Sequence, residues 1–242
     1  MKGVILAGGK GTRLFPLTKV TNKHLLPVGR EPMLYNPIKQ LVSARIREIL
    51  IVTSTEHMGD IVALLGSGAE FGVQFTYRVQ EDAGGIAQAL SLAEAFSGGE
   101  RIVVILGDNI ACQSIRPYVE RFRKQERGAR VLLKRVDNPS DFGIAALDEK
   151  RILSIEEKPS LPKSDYAVIG YYMYDRQVFD IIRGQKASAR GEMEITDVNN
   201  VYIDQQQMEY SVIEGDWTDA GTLESWQVAN QLMFGANNEV RE

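Results

Sequence analysis

Three glycines, a hydroxyl and two cations crowd the stretch Gly8-Gly9-Lys10-Gly11-Thr12-Arg13, directly after the apolar run Val4 to Ala7. Glycine lets backbone N–H groups come close to a ligand, because no Cβ intervenes. A concave row of such N–H groups binds anions. The loop therefore reads as a cradle for a nucleotide triphosphate, against the plainer reading of a tight strand-to-helix turn with a charged tip. Asp108, in Leu106-Gly107-Asp108-Asn109, follows the apolar run Ile102 to Leu106. A carboxylate at the carboxyl end of a buried strand stands at the edge where α/β sheets take their ligands. The alternative is a strand-ending turn, since Gly, Asp and Asn all favour turns. Asp219, in Trp217-Thr218-Asp219-Ala220-Gly221-Thr222, could cap the last helix, but Thr222 can do that as well. Freed from capping, Asp219 pairs with Asp108 as a Mg²⁺ ligand set, because Mg²⁺ takes one or two carboxylates plus phosphate oxygens.

Arg13 and Lys23 would neutralise the charges of a triphosphate. Lys158, in Glu156-Glu157-Lys158-Pro159, and Arg190, in Ser188-Ala189-Arg190-Gly191-Glu192, are further cations. Each, taken singly, is more often a solvated surface group. Two familiar phosphate loops fail here. A P-loop needs Gly-Lys-Ser/Thr, yet Lys10 is followed by Gly11. The dinucleotide pattern G-x-G-x-x-G would start at Gly9 and meets Leu14 in place of its third glycine. His24 and His57 lack metal-ligand spacing and read as structural. No local Ser-His-Asp or Cys-His motif suggests nucleophilic catalysis.

The elements that must position these residues alternate. Strand-like runs cover Val4 to Ala7, Glu48 to Thr53, Val73 to Val79 and Ile102 to Leu106. Helix-period segments cover Met33 to Ala44 (with Pro32 at its start), His57 to Leu65, Gly85 to Phe96 and Ser114 to Gln125. This succession predicts an α/β fold with a parallel sheet and helices on both faces. The second half changes rhythm, with strands at Arg130 to Val136, Ile144 to Leu147, Ile152 to Glu156, Ala167 to Tyr174 and Glu209 to Ile213. Helices are expected at Arg176 to Ile182, Glu194 to Gln205 and Leu223 to about Met233. These later strands are expected to add over the ligand cleft. The polar tail, Gly235 to Glu242, is expected to fray.

A length of 242 residues suits one large domain or two small ones, and buries a substantial core without metals or disulfides. The formal net charge of −4 disfavours nucleic acid as a partner, so cations that meet an anionic substrate must be concentrated locally. One cysteine, Cys112, excludes an intrachain disulfide and suits a reducing compartment. The N-terminal apolar run is too short for a signal, and no segment nears the ~18 apolar residues of a membrane span. A cytoplasmic protein without membrane partners is expected.

In order, the chain carries Leu6-Ala-Gly-Gly-Lys-Gly-Thr-Arg13-Leu14, Asn22-Lys23-His24-Leu-Leu-Pro-Val28, Val79-Gln80, Gly85-Ile-Ala-Gln-Ala89 and Leu106-Gly-Asp-Asn109. It goes on with Glu156-Glu-Lys-Pro159, Arg190-Gly-Glu-Met-Glu-Ile-Thr-Asp197 and Trp217-Thr-Asp-Ala-Gly-Thr222. This ordered set, spanning nearly the whole chain, resembles the sugar-1-phosphate nucleotidyltransferases. The resemblance implies a Rossmann-like, mostly parallel central sheet flanked by helices, with an added sugar-binding strand region over the cleft. It implies one domain over 1–242, with a nucleotide-binding half at 1–128 and a half at 129–242 carrying the sugar site and second metal ligand. The implied reaction joins dTTP to α-D-glucose 1-phosphate, with Mg²⁺, giving dTDP-glucose and pyrophosphate for deoxysugar synthesis. Leu6, Gly8, Gly9, Gly11 and Thr12 would line the nucleotide loop, and Arg13 would grip the triphosphate. Lys23 would hold the phosphate under attack. Gln80 and the backbone at Gly85 would read the pyrimidine edge, and Asp108 and Asp219 would hold the metal. Asn109, Gly143, Glu157 and the backbone at Val168 would hold sugar hydroxyls, with Lys158 and Arg190 on the sugar phosphate.

Three departures accompany the resemblance. Phe142 stands where longer relatives commonly have Tyr, and His24 where they commonly have Gln. The chain also ends soon after its last helix, so the regulatory nucleotide site of the longer form is expected to be missing. A homo-oligomer, a tetramer by resemblance, is implied. A sister enzyme using UTP or another NTP and a non-catalytic nucleotide-sugar sensor are the competing readings. A sensor needs no paired metal ligands.

Overall fold

The computed structural model describes residues 1–188 and 190–236. The end of the polar tail, from residue 237, lies outside the described residues. The chain forms two compact units built from interleaved stretches. The loop unit comprises Gly3–Ala83, Ile105–Arg116 and the segment from Gly215 onward. The strand unit comprises Met1–Lys2, Gly84–Val104 and Pro117–Glu214. The expected α/β class holds, with a mixed, mostly parallel central sheet and flanking helices.

In the loop unit the strand Lys2–Ala7 runs parallel to Glu48–Ser54, with Gly3 opposite Ile49 and Ala7 opposite Thr53. Glu48–Ser54 in turn runs parallel to Gln74–Gln80. Val4, Ile5, Ala7 and Ile49 to Val52 are fully buried, as a parallel strand covered on both faces requires. Gln74–Gln80 ends the sheet and keeps the alternating exposure that its sequence shows. The helices Tyr35–Ser43 and Met58–Leu65 supply the crossovers that parallel strands need. The first begins at Tyr35 and not at Met33. Pro32 belongs instead to a short hairpin, Pro27–Val28 against Glu31–Pro32. Leu14, Leu26, Val28, Met33, Ile110, Ala220 and Ala229 form one apolar cluster that ties the glycine loop, this hairpin and the last helix, Leu223–Ala236, together.

In the strand unit Tyr166–Tyr174 pairs antiparallel with both Ala129–Arg135 and Gly143–Leu147, and Ile152–Glu157 closes on Gly143–Leu147. Met208–Val212 runs parallel to Ala129–Arg135. The register of Tyr166–Tyr174 slips between Val168 and Tyr172, a bulge of the kind that re-aims backbone beside ligand sites. The helix expected over Gly85 to Phe96 is two pieces, Ile86–Ser91 and Glu94–Ser97. Leu92 and Ala93 donate three residues back, and the Ser91 hydroxyl donates to the Gln88 carbonyl, so the turn tightens and the α-helix stops. Among the described residues no helix is long and apolar enough to cross a membrane.

Candidate active site

The glycine loop is shaped by what lies against it. Gly11 has φ +65, a left-handed conformation that side chains resist, and its carbonyl accepts from the Thr18 hydroxyl at 2.8 Å. A Cβ at Gly11 would stand 2.9 Å from Lys23 Cβ, and one at Gly9 would stand 3.3 Å from Lys23 Cε. Lys23 therefore lies along the loop. At Gly8 the neighbour is Gln80, whose Oε1 would be 2.5 Å from a Cβ. The loop residues and Gln80, expected to share a nucleotide site, are thus neighbours. Leu6 contributes through its backbone, accepting from the Gly107 N–H at 2.9 Å. Thr12 and Arg13 are exposed.

Lys23 Nζ reaches Asp108 Oδ2 at 2.5 Å. Burial works against a charge on Asp108, but the Lys23 ammonium and the Asn109 amide, 3.2 Å away, hold its carboxyl well below the usual range. Asn109 is itself oriented, because its Oδ1 accepts from the Trp217 indole at 2.9 Å.

Asp219 arrives from more than a hundred residues away through a feature too short to show periodicity. Asn109–Ala111 and Trp217–Asp219 are three-residue strands paired antiparallel, with Asp219 opposite Asn109. The Ala220 N–H then donates to the Asp108 carbonyl at 2.7 Å. This register sets the second carboxylate beside the first. Thr222 takes the helix cap, exchanging bonds with Ser225 in a capping box, which leaves Asp219 free of that duty.

Gly221 marks the space that the two aspartates share. A Cβ there would lie 3.4 Å from Asp219 Oδ2, 3.5 Å from Asp108 Oδ2 and 3.1 Å from an Arg13 guanidinium nitrogen. Burial, and then the charge of Asp108, push the Asp219 carboxyl above its ordinary value, while Arg13 and Lys23 pull it back in part. Two hard carboxylate oxygens that repel one another across a space kept open by a glycine suit a small divalent cation. The residues present therefore fit a metal of that class.

His24, read as structural, is fully enclosed. Its Nδ1 and its backbone N–H both meet Asn22 Oδ1, at 2.7 and 2.8 Å. Burial, reinforced by Lys23, depresses its pKa to about 3, so the ring is neutral. His57 sits near the surface beside Asp60.

The remaining candidates belong to the strand unit. Gly85 has φ +96 and lies against the Met193 backbone, where a Cβ would be 2.6 Å from the carbonyl oxygen. Gly143 faces Glu157, whose Oε2 accepts from the Thr196 hydroxyl at 2.7 Å. Lys158 holds a left-handed backbone, φ 45, and donates its N–H to the Phe142 carbonyl at 3.0 Å. For a non-glycine residue that conformation is strained, as happens at ligand sites. Arg190 is gripped by Glu194 through both carboxylate oxygens, at 2.9 and 3.0 Å, and stands 3.5 Å from Glu157. Val168 is nearly buried at the start of the bulge.

Five residues of this geometry went unremarked as site residues in the sequence. Asn22, Gly107 and Gly221 serve the aspartate cluster, and Glu194 and Thr196 serve the Glu157 and Arg190 cluster. Glu194 stands four residues after Arg190, a spacing at which an ion pair is a fair guess. The others lie within the motifs quoted above, where no residue type or spacing gives them a role of their own.

The profile of the family described as nucleotidyl transferase matches residues 2–234. The glucose-1-phosphate thymidylyltransferase of Neisseria meningitidis serogroup A is 43% identical over 242 residues, covering 98% of this chain and 84% of the relative. The one from Mycobacterium tuberculosis is 42% identical, covering 93% and 79%. Among solved structures, a Bacillus anthracis protein assigned as a glucose-1-phosphate thymidylyltransferase, in complex with a sucrose, superposes with a TM-score of 0.94. It is 59% identical and covers 97% of this chain and 95% of that one. A UDP-glucose pyrophosphorylase complexed with UDP-glucose, at 24% identity over 97% of this chain and 98% of its own, shares the fold with a TM-score of 0.85. Matched almost end to end by a single family profile, and by relatives 43% and 42% identical, this chain belongs to the nucleotidyl transferases.

Proposed function

We propose that the chain transfers the thymidylyl group of dTTP to α-D-glucose 1-phosphate, giving dTDP-glucose and pyrophosphate, and that it does so with Mg²⁺. The observation that carries the reading is the space at Gly221, faced by Asp108, Asp219 and Arg13, with Lys23 on Asp108. The names of the relatives support the choice of substrates.

An oxygen of the glucose 1-phosphate group attacks the α-phosphorus of dTTP. The bond from that phosphorus to the β-phosphate oxygen breaks, and pyrophosphate leaves with the electron pair. The attacking phosphate has a second pKa of about 6 and is already a dianion near neutrality, so no base need remove a proton. This accounts for a site whose buried histidine stays neutral. What must be overcome is repulsion between two polyanions. Arg13 binds the triphosphate, and Lys23 meets the phosphate where charge develops. Lys158 and Arg190 hold the sugar phosphate, while Glu157, Asn109, Gly143 and the backbone at Val168 orient the sugar. Gln80 and Gly85 face the base. Asp108 and Asp219 would hold the divalent cation, which when bound neutralises phosphate charge and aligns the reacting groups. A cytoplasmic setting belongs to the same reading, since the one cysteine leaves no intrachain disulfide to form.

The test is pyrophosphate release from the purified protein across pairs of nucleotide and sugar phosphate. Release is expected to be fastest with dTTP and glucose 1-phosphate, and Asp108→Asn is expected to abolish it while leaving the fold intact. Preference for UTP over dTTP would replace the substrate assignment. Wild-type rates in Asp108→Asn would remove the metal assignment, and no release with any pair would leave a binding protein.

A further inference from the structure

The turn that carries Lys23 is fastened by an arrangement that the proposed reaction does not use directly. Asn22 Oδ1 accepts twice, from the His24 backbone N–H at 2.8 Å and from His24 Nδ1 at 2.7 Å. An amide oxygen can only accept, so Nδ1 carries the ring proton. Flipping the Asn22 amide would set its NH₂ against the His24 backbone N–H, which can only donate. In that orientation Asn22 Nδ2 is buried without a partner among the described residues.

The ring so oriented lies where Gly107 lacks a side chain. A Cβ at Gly107 would stand 2.6 Å from His24 Cδ2 and 3.0 Å from Nε2. Gly107 directly precedes Asp108, and its N–H is fixed to the Leu6 carbonyl. On the other side, the His24 carbonyl accepts from Leu34 N at 3.0 Å, which ties the turn to the segment leading into the helix Tyr35–Ser43. The imidazole is thus a spacer between the turn holding Lys23 and the strand end holding Asp108, whose side chains meet at 2.5 Å.

We infer that His24, oriented by Asn22, is a positioning residue for nucleotidyl transfer: its ring, set against Gly107, fixes how the Lys23 ammonium stands relative to the Asp108 carboxylate. His24 touches no substrate and moves no proton in this account. It works only through Lys23, and the inference rests on the proposed reaction to that extent.

The test compares His24→Leu, which fills similar volume without a donor, with His24→Gln, which restores an N–H at similar reach. Both are made in the wild type and in Lys23→Met. His24→Leu is expected to lower kcat by about tenfold or more, with both KM values moved by less than about twofold, because misplacement of a catalytic group costs turnover before binding. His24→Gln is expected to return kcat to within about threefold of wild type. In Lys23→Met, His24→Leu is expected to cost nothing further, since the group it positions is gone. An equal loss in both backgrounds, or no loss in either, overturns the inference. A second readout needs no activity. The chain has two histidines, so the ring ¹⁵N spectrum of His57→Gln reports His24 alone. The Nδ1–H tautomer is expected, and an Nε2–H tautomer overturns the inference even if His24→Leu does not fold. Failure of the reaction itself is distinguished by the wild type releasing no pyrophosphate, whatever the tautomer.

Discussion

A neutral histidine sealed beneath a cation ties the stability of this protein to pH, and the size of that dependence can be worked out. His24 is 1% exposed, and burial together with Lys23 lowers its pKa from 6.5 to about 3. On unfolding it regains its ordinary value and takes up a proton at any pH between the two. The folded pKa is the depressed one, so the stabilisation is fully present above pH 6.5. It is lost progressively as pH falls from 6.5 towards 3. At about pH 5 the unfolded chain is favoured by some 1.5 log units of proton binding, or about 2 kcal/mol. Any folded value below about 4 gives the same figure at that pH, so the prediction does not hang on how deep the depression is. For a chain of this length about 2 kcal/mol corresponds to roughly 4–8 °C in Tm. The perturbation is His24→Gln, which keeps a donor for Asn22 but does not titrate. Thermal unfolding of both proteins at about pH 8 and about pH 5 forms a cycle in which every other titrating group cancels. The wild type is expected to lose about 2 kcal/mol more than the variant on acidification. Parallel losses would show that His24 is already protonated in the fold or is not buried in solution. The tautomeric argument built on Asn22 would then need another basis.

Gly221→Ala places a methyl in the space faced by Asp108, Asp219 and Arg13; turnover should fall by about a hundredfold while Tm stays near wild type, checked by pyrophosphate release and thermal unfolding. Arg190→Lys removes a planar fork that now engages Glu194; KM for glucose 1-phosphate should rise by about tenfold with KM for dTTP unchanged, because a single ammonium cannot replace bidentate contact with a phosphate. Tyr174→Phe deletes the hydroxyl that donates to Asn199 Oδ1 at 2.6 Å, and Asn199 Nδ2 is already buried without a partner among the described residues. Unfolding free energy should fall by about 1–3 kcal/mol in denaturant titrations, with kcat untouched, and a neutral result would mean that water reaches the amide.

What could be read from the residues divides along a physical line. Elements long enough to repeat a pattern were legible. Ile102–Leu106 announces itself as a continuous apolar strand, Gln74–Gln80 by alternation, and Arg116–Lys124 by its amphipathic face. Asn109–Ala111 and Trp217–Asp219 have three residues each, fewer than any periodicity needs. Yet their pairing is what brings Asp219 to Asp108. Chemistry alone pairs the two aspartates as metal ligands, but only the register of Asp219 against Asn109 gives that pairing a place. The same holds for the glycines. Gly8, Gly9 and Gly11 were noticed because they cluster, whereas Gly107 and Gly221 stand singly and look like ordinary turn residues. Their worth lies in the atoms that occupy the absent Cβ, the His24 ring at one and two carboxylates with a guanidinium at the other. His24 shows the limit most clearly. Reading it as structural was sound, since it has neither ligand spacing nor a partner for acid–base work. In this fold a structural histidine need not be functionally silent, because what it supports is the lysine beside it, and that neighbourhood is a property of three dimensions. A residue type that stabilises by being buried and neutral can therefore serve catalysis by the same interactions, and substitutions that separate the two effects are the ones that reveal it.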